Sequence, residues 1–221
     1  MPRSAQTGIP PAGPGVRIES LTTPPESPAL CVVVLSDGRR VNLARGEAEA
    51  CGCVAGLAWS EALVAAIEAR RHTSEIREEA LRRLARREHS RAELEAHLVG
   101  RRFETSRIAP VLDELETDGW LDEARFIERR LDDWLRRPAH GRTYLLARLE
   151  KEGVDRAEAE AALDTLYLRS DEQAAARRVA QSLATGPRAT PRRIASALAR
   201  RGFDEEIVRG IEACREAFDA D

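Results

Sequence analysis

The sequence predicts an all-α protein of tandem three-helix modules, arranged as an elongated curved array after a short N-terminal β-hairpin. Hydrophobic residues make up 43% of the chain and aromatic residues only 4%, so the cores depend on aliphatic side chains, of which Ala and Leu favour helices. A pattern of apolar helix, turn and capped second helix recurs, and its turns end at Phe103, Val154 and Phe203. The offsets, 51 residues to Val154 and 49 more to Phe203, are typical of stacked helical modules. Such arrays present a long surface, which favours a binding function.

The net charge and the choice of basic residues indicate which partners the chain can bind. Charged residues make up 33% of the 221 residues, yet the formal net charge is −3, which argues against a uniformly cationic nucleic-acid-packaging protein. Any basic surface must therefore be local. Lys151 is the single lysine, and the other basic residues are arginines, whose planar forks suit bidentate contacts to carboxylate or phosphate.

The N-terminal part divides into a tail and a small mixed region. Residues 1–28 are rich in Pro, Gly, Ser and Thr, and we expect a disordered tail. Residues 29–71 are predicted to form a β-hairpin plus a helix, because two apolar runs flank the Asp37-Gly38 turn signal. The chain shows no secretory signal and no apolar run long enough to cross a bilayer, so we expect a cytoplasmic protein without membrane contact.

Helix signals follow one another from there. Residues 46–56 suggest a short helix, and Ser60 is expected to cap a clear one. The segment His72-Thr73-Ser74 is predicted to break that helix, with Ser74 capping the next. The remaining chain is divided into three-helix modules at residues 72–121, 122–168 and 169–221.

Capping residues punctuate the modules. Ser90 and Glu93 form a predicted capping box, in which the hydroxyl and the carboxylate each bind a backbone amide of the other residue. Pro110 predicts a late start or a kink in its helix. Gly153 and Gly202 are expected at helix C-termini, where a left-handed residue is favoured. Further N-caps are predicted at Asp122, Asp155, Ser170, Thr190 (followed by Pro191) and Asp204.

No catalytic or metal-binding constellation is found in the sequence. Cys51 and Cys53 have no second cysteine pair and no histidines at zinc spacing, so these thiols, with Cys31 and Cys214, are interpreted as incidental or buried. The four histidines are scattered, and His89 is expected on a helix surface. A phosphate-binding glycine loop is missing too, so we expect a non-enzyme without cofactor.

Arginine doublets recur module by module, and they are the candidate binding residues. One interpretation is that they keep helix exteriors soluble by pairing with nearby Glu. The other is that equivalent modules place them along one side as a basic ridge. The turn doublets rank first because turns project, followed by a helical set at spacings of four and seven residues. The candidates are Arg101, Arg102, Arg125, Arg129, Arg136, Arg192, Arg193, Arg200 and Arg201. Trp120 and Trp134 are possible base-stacking residues, but core packing is the preferred interpretation.

Three segments together resemble the RecX family. They are residues 81–94, the joint Gly119-Trp120-Leu121-Asp122-Glu123-Ala124-Arg125-Phe126, and residues 141–154, and the similarity extends over about residues 30–218. The resemblance implies a non-enzymatic regulator that binds the RecA filament on single-stranded DNA and inhibits strand exchange and ATP hydrolysis. It implies roles in recombination, repair and the SOS response, and we expect a monomer.

The first module departs from the repeat at one turn, and the sequence leaves one alternative function open. Arg102 stands where the other modules have Gly153 and Gly202, so we expect the first module to end its helix differently, using Gly100. The alternative function is a helical-repeat protein that binds nucleic acid directly, which the arginine doublets allow and the balanced charge disfavours.

Overall fold

The computed structural model describes residues 8–135, 140–169, 172–185 and 190–218, and within them it contains three strands and ten helices. The strands are β1 (Ile18–Thr22), β2 (Leu30–Leu35) and β3 (Arg40–Ala44). The helices are α1 (Arg45–Ala50), α2 (Glu61–Leu84), α3 (Arg91–Gly100), α4 (Thr105–Thr117), α5 (Glu123–Leu135), α6 (Arg142–Lys151), α7 (Arg156–Arg169), α8 (Glu172–Ala184), α9 (Pro191–Arg200) and α10 (Glu205–Phe218). The chain divides into two compact units after Glu79. The predominantly helical fold with a small N-terminal sheet confirms the predicted class.

The first unit contains an antiparallel sheet with strand order β1-β2-β3. The predicted hairpin is β2 and β3, joined at a turn in which Gly38 has φ 83° and donates its amide to the Leu35 carbonyl at 2.8 Å. Alternate residues of β2, namely Cys31, Val33 and Leu35, are buried. One face of the sheet therefore forms the core of this unit.

The predicted disordered tail is wrong for the part that the structure describes. Residues 18–22 form β1, which pairs with β2, so the hairpin is one part of a three-stranded sheet. The Trp59 indole donates a buried hydrogen bond to the Pro10 carbonyl at 3.1 Å, and Ile18 is 1% exposed. Two strands alone are marginal in water, and the third strand adds backbone pairing and buried apolar area. Residues 1–7 lie outside the described residues.

Helix α2 corrects a second expectation. Ser60 accepts the Leu63 amide at 3.3 Å, which confirms the predicted cap, and α1 confirms the short helix. No break occurs at His72-Thr73-Ser74, however, because α2 continues from Glu61 to Leu84. The Thr73 hydroxyl donates to the Ala69 carbonyl at 3.0 Å, so this polar side chain is satisfied inside the helix and does not compete with it.

The second unit holds helices from the end of α2 to α10, with separate apolar clusters. One cluster joins α5, α6 and α7 around Phe126, Leu145 and Leu163, each 0% exposed. Another joins α8, α9 and α10 around Ala176, Leu198 and Val208. Nearer the start of the unit, Leu94, Leu98, Ile108 and Leu112 of α3 and α4 are fully buried. Each cluster is small, so short helices that would be marginal alone are stabilised by their neighbours.

Most predicted caps are confirmed. Backbone amides at the start of helices donate to Asp122 (2.9 Å), Asp155 (2.8 Å), Thr190 (3.4 Å) and Asp204 (2.8 Å). The predicted cap at Ser170 lies outside the described residues. The late helix start at Pro110 is wrong, because α4 begins at Thr105 and runs through the proline. Among the described residues, no helix has the length and apolar character needed to cross a membrane.

Candidate partner-binding surface

A repeated polar joint connects successive three-helix groups of the second unit. The first residue of α5, Glu123, accepts the backbone amide of Arg91 at 2.9 Å, and Arg91 is the first residue of α3. The first residue of α8, Glu172, accepts the amide of Arg142, the first residue of α6, at the same distance of 2.9 Å. An anion at a helix N-terminus satisfies an unpaired amide and complements the helix dipole. The same contact is therefore built twice along the chain.

The joint corrects the predicted capping box. Ser90 accepts the Glu93 amide at 3.1 Å, as expected. The Glu93 carboxylate turns away to Arg87 and His89, each at 2.9 Å, and Glu123 supplies the carboxylate at this helix start instead. A carboxylate 32 residues further along thus binds this helix start, at the Arg91 amide and not at the Ser90 amide of the predicted box.

The turn after α6 packs on the start of α3, and the turn after α9 packs on the start of α6 in the same way. Ser90 donates its hydroxyl to the Glu152 carbonyl at 2.7 Å, and a Cβ added at Gly153 would collide with the Ala92 side chain. In the next joint, Gly141 donates its amide to the Arg201 carbonyl at 2.8 Å, and a Cβ at Gly202 would collide with Tyr144. Glycine is required at both turns for close approach as well as for the positive φ values of 85° and 73°.

Arg102 takes the glycine position of the first turn, so the expectation that Gly100 replaces it is wrong. Arg102 has φ 68°, and its amide donates to the Val99 carbonyl at 2.8 Å, as the Gly153 amide does to Glu150 at 3.0 Å. Gly100 is the last residue of α3. Because Arg102 is exposed, its side chain fits where a side chain at Gly153 or Gly202 would not.

The candidate arginines fall into several environments. Arg101, Arg102, Arg129, Arg192, Arg193 and Arg200 are exposed. Arg201 is half-buried and donates to the Ala197 carbonyl at 3.1 Å, so the third turn does not project as expected. Arg136 lies outside the described residues.

Arg125 is tied to the protein on several sides. Its guanidinium lies 2.8 Å from Glu88 and 3.7 Å from Asp122, and it donates to the Trp120 carbonyl at 3.2 Å. This arginine therefore ties the start of α5 to the segment before α3. Arg130, which sequence reasoning did not single out, plays a similar part: it binds Glu152 through two hydrogen bonds of 2.6 Å.

The two tryptophans of this unit differ. Trp134 is 5% exposed and carries Arg148 over its ring at 4.2 Å, which confirms the core interpretation. Trp120 is 56% exposed, so the core interpretation is wrong there. It follows Gly119, whose φ of 74° lies in the turn after α4. After this turn Leu121, and not Trp120, is the buried residue, at 2% exposed.

Buried titratable groups lie near the joints. Burial raises the pKa of Glu123 against the opposing hydrogen bond from the Arg91 amide, and the charges of Glu158 and Glu116 add to the rise. His89 is 2% exposed, so the surface position expected for it is wrong. Burial lowers the pKa of its imidazole, although the hydrogen bond to Glu93 acts in the opposite direction.

Two open clefts lie in the second unit. A groove of about 530 Å³ lies between α5 and α7, and a smaller cleft of about 300 Å³ lies beside Glu123. The described residues contain no group of three His, Cys, Asp or Glu able to hold a metal ion. Cys31 and Cys53 are buried free thiols, and Cys53 has its pKa raised to about 11, mainly by burial, so it stays protonated. The Cys214 side chain lies outside the described residues.

Part of the second unit matches a known protein family, and the chain has relatives of similar sequence. A family model described as "RecX, first three-helix domain" matches residues 77–115. The regulatory protein RecX of Treponema pallidum (strain Nichols) is 38% identical over 138 residues, covering 59% of this chain and 79% of that protein. That of Halorhodospira halophila is 34% identical over 146 residues, covering 65% and 90%.

Two solved structures share the fold. A crystal structure of regulatory protein RecX aligns with a TM-score of 0.76 at 15% identity, covering 90% of this chain and 99% of the other. The crystal structure of RecX from Lactobacillus salivarius aligns with a TM-score of 0.58 at 22% identity, covering 64% and 95%. At these identities the two structures show a shared fold only. The evidence for the family comes from the relatives that are more than 30% identical in sequence.

Proposed function

The chain belongs to the RecX family of regulatory proteins, and from that premise we propose that it binds the RecA filament on single-stranded DNA and lowers its activity. The filament is the partner that the family resemblance implies. In this proposal the protein inhibits ATP hydrolysis and strand exchange by binding alone, without chemistry of its own. The cellular setting would be recombination, repair and the SOS response in the cytoplasm.

One observation carries the proposal: the Glu123–Arg91 and Glu172–Arg142 joints are the same contact, built twice. Because equivalent joints hold equivalent helices, surface positions about fifty residues apart occupy equivalent places in successive three-helix groups. A filament also repeats its surface, subunit after subunit. Many weak contacts between two repeating surfaces add up to firm binding without a deep pocket.

The exposed arginines are the proposed contacts. Arg101 and Arg102 lie at the exposed first turn, Arg192 and Arg193 at the start of α9, and Arg129 and Arg200 on helices. Their planar guanidinium groups suit carboxylates of a protein partner or phosphates of the DNA that it holds. Arg125 and Arg201 are the remaining candidates, and their guanidinium groups bind Glu88 and the Ala197 carbonyl.

Co-sedimentation with RecA tests the proposal directly. The purified chain is mixed with RecA, with and without single-stranded DNA, and filaments are pelleted. We expect the chain in the pellet only when RecA and DNA are both present. An Arg101→Glu variant is expected to pellet less, whereas Arg156→Glu, on the exposed start of α7, serves as the charge-matched control.

Direct nucleic-acid binding is the second candidate, favoured by the exposed arginine pairs alone. Binding to DNA without RecA, weakening steeply as salt is added, would support it. The net charge of −3 opposes strong binding of this kind.

A further inference from the structure

The groove between α5 and α7 is apolar at its base. Ile127 and Leu131 of α5 and Leu166 of α7 line it, together with small side chains such as Ala161 and Thr165. Its volume of about 530 Å³ is sufficient for several large side chains of a partner. The small residues along the opening leave room for another helix to approach closely. Such a helix, with its side chains, is roughly 10 Å across.

Acidic residues border this apolar base. Glu128 and Asp132 stand one turn apart on α5, and Glu158 faces them from α7. Among the residues that line the groove, none is basic. The charge on the border is therefore of one sign, and it would attract a cationic partner.

The acidic border is particular to the middle three-helix group. The repeat offsets of 51 and 49 residues place Arg77 and Arg177 at the positions equivalent to Glu128. The offset of 51 places Arg107 at the position equivalent to Glu158. The other equivalent positions, those of Asp132 in both groups and of Glu158 in the last group, hold Leu81, Gln181 and Ile207. The neighbouring groups therefore carry arginine or an uncharged residue wherever the middle group carries one of these carboxylates. Solubility alone does not require carboxylates here and arginines at equivalent sites, whereas a cationic ligand of the middle group would favour this difference.

We propose that this groove binds a cationic amphipathic helix of the filament protein, and the identity of that partner rests on the proposed function. An apolar stripe of the helix fills the groove between Leu131 and Leu166, while its flanking Arg or Lys side chains pair with Glu128, Asp132 and Glu158. This is the helix-in-groove mode of recognition, in which apolar anchors supply affinity and flanking charges supply selectivity.

A peptide experiment tests the groove by itself. The full chain is titrated with a short helical peptide carrying a Leu stripe flanked by Arg, and with its isomer carrying Glu in place of Arg. We expect saturable binding of the first peptide only. Asp132→Arg is expected to weaken it about tenfold or more, because a close charge pair becomes a repulsive one. Asp133→Arg is the matched control, since Asp133 is exposed on the same helix but does not line the groove.

A steric variant completes the peptide experiment. Ala161→Trp fills the groove without changing charge and is expected to abolish peptide binding, with helical content checked by circular dichroism. If wild-type chain ignores both peptides, or if Asp132→Arg and Asp133→Arg bind the cationic peptide equally, the groove inference is overturned. Self-association that Asp132→Arg abolishes would overturn it as well, since the occupant would be a second copy.

The same variants separate this inference from the proposed function. If Asp132→Arg raises the concentration needed to inhibit RecA while Asp133→Arg does not, the helix on the filament protein is supported. If both variants inhibit like wild type, the groove inference fails and the proposed function stands. If wild type itself does not inhibit RecA, the proposed function fails, and the peptide titration still decides whether the groove binds such a helix.

Discussion

The Glu123 carboxylate accepts the backbone amide of Arg91 at 2.9 Å and so links the first residue of α5 to the first residue of α3. Its second oxygen is buried without a hydrogen-bond partner among the described residues. The side chain thus gives one directed contact at the cost of an unsatisfied atom. The directed contact is expected to stabilise the joint between α3 and α5.

Removing the Glu123 carboxylate is therefore expected to destabilise the second unit. Glu123→Ala is predicted to lower the free energy of unfolding by about 1–2 kcal/mol, because the Arg91 amide loses its acceptor. Glu123→Gln keeps an acceptor oxygen and places an amide near Glu116 and Glu158, so a much smaller loss is expected. Urea unfolding, followed by circular dichroism, measures the free energy of unfolding of both variants. Equal losses in the two would show that the hydrogen bond to the Arg91 amide does not stabilise the protein.

The second joint provides an independent repeat of that experiment. Glu172→Ala removes the acceptor for the Arg142 amide. It is predicted to lower the free energy of unfolding by about 1–2 kcal/mol, as Glu123→Ala does. Glu160→Ala removes a carboxylate of the same charge that only pairs with Arg156 on the surface, and little change is expected. A larger loss for Glu160→Ala than for Glu172→Ala would be inconsistent with this account.

The three helix-ending turns predict opposite responses to substitution. Arg102→Gly is expected to stabilise the protein by about 1 kcal/mol, because the arginine has the left-handed backbone that glycine adopts without strain. Gly153→Ala is expected to destabilise it by more than about 1 kcal/mol, since its Cβ meets Ala92 as well as being strained. Thermal unfolding distinguishes the two, and a loss of stability in Arg102→Gly would show that the arginine side chain has a stabilising contact.

The two tryptophans predict a contrast between core and surface. Trp134→Ala is expected to cost about 3–5 kcal/mol, as large core truncations do. Trp120→Ala is expected to change stability by no more than about 0.5 kcal/mol, because the indole is mostly exposed. Acrylamide quenching gives a second measurement: Trp120→Phe should remove most of the quenchable fluorescence, since Trp59 and Trp134 are buried.

His140 predicts a pH dependence. Its ring stacks on Tyr144 with centroids 4.1 Å apart, and burial lowers its pKa below 6.5, with Arg201 and Arg148 acting in the same direction. The unfolded chain therefore takes up this proton first, so stability falls as the pH drops below 6.5 towards the lowered pKa. This contribution is fully present above 6.5, where the imidazole is neutral in both states.

A substitution isolates that contribution from other titrating groups. His140→Phe keeps a ring against Tyr144 but removes the proton, so its stability should fall less than that of wild type between about pH 7 and about pH 5. Urea midpoints at the two pH values measure the difference. His72→Phe is the control, because His72 is exposed in the first unit. An equal fall in His140→Phe and wild type would contradict the assignment.

Local signals in the sequence explain most of the helical fold. Asp122, Thr190 and Gly153 were predicted as caps because capping depends on one side chain or one φ value within a few residues. The apolar stripes through Leu145 and Ile194 were readable for the same reason. The spacing of the turns also indicated that the groups repeat, although the division into modules at residues 72, 122 and 169 stays a prediction.

Features that depend on distant partners were not readable. The alternation of apolar and polar residues in Val16-Arg17-Ile18-Glu19 is too short to distinguish a strand from a polar tail until β2 is beside it. His89 is buried by elements far away in sequence, and Glu123 reaches an amide 32 residues back. The groove on α5 and α7 is likewise a product of two helices. The exposed arginines could be proposed from sequence because solvation follows composition, but the inward pairing of Arg125 with Glu88 could not.

The rate of ATP hydrolysis by RecA on single-stranded DNA, measured while this chain is titrated in, tests the central claim most directly. We expect the rate to fall well before one chain is present per RecA subunit, because one bound chain affects a stretch of filament. A rate that stays unchanged up to an excess of correctly folded chain would contradict it.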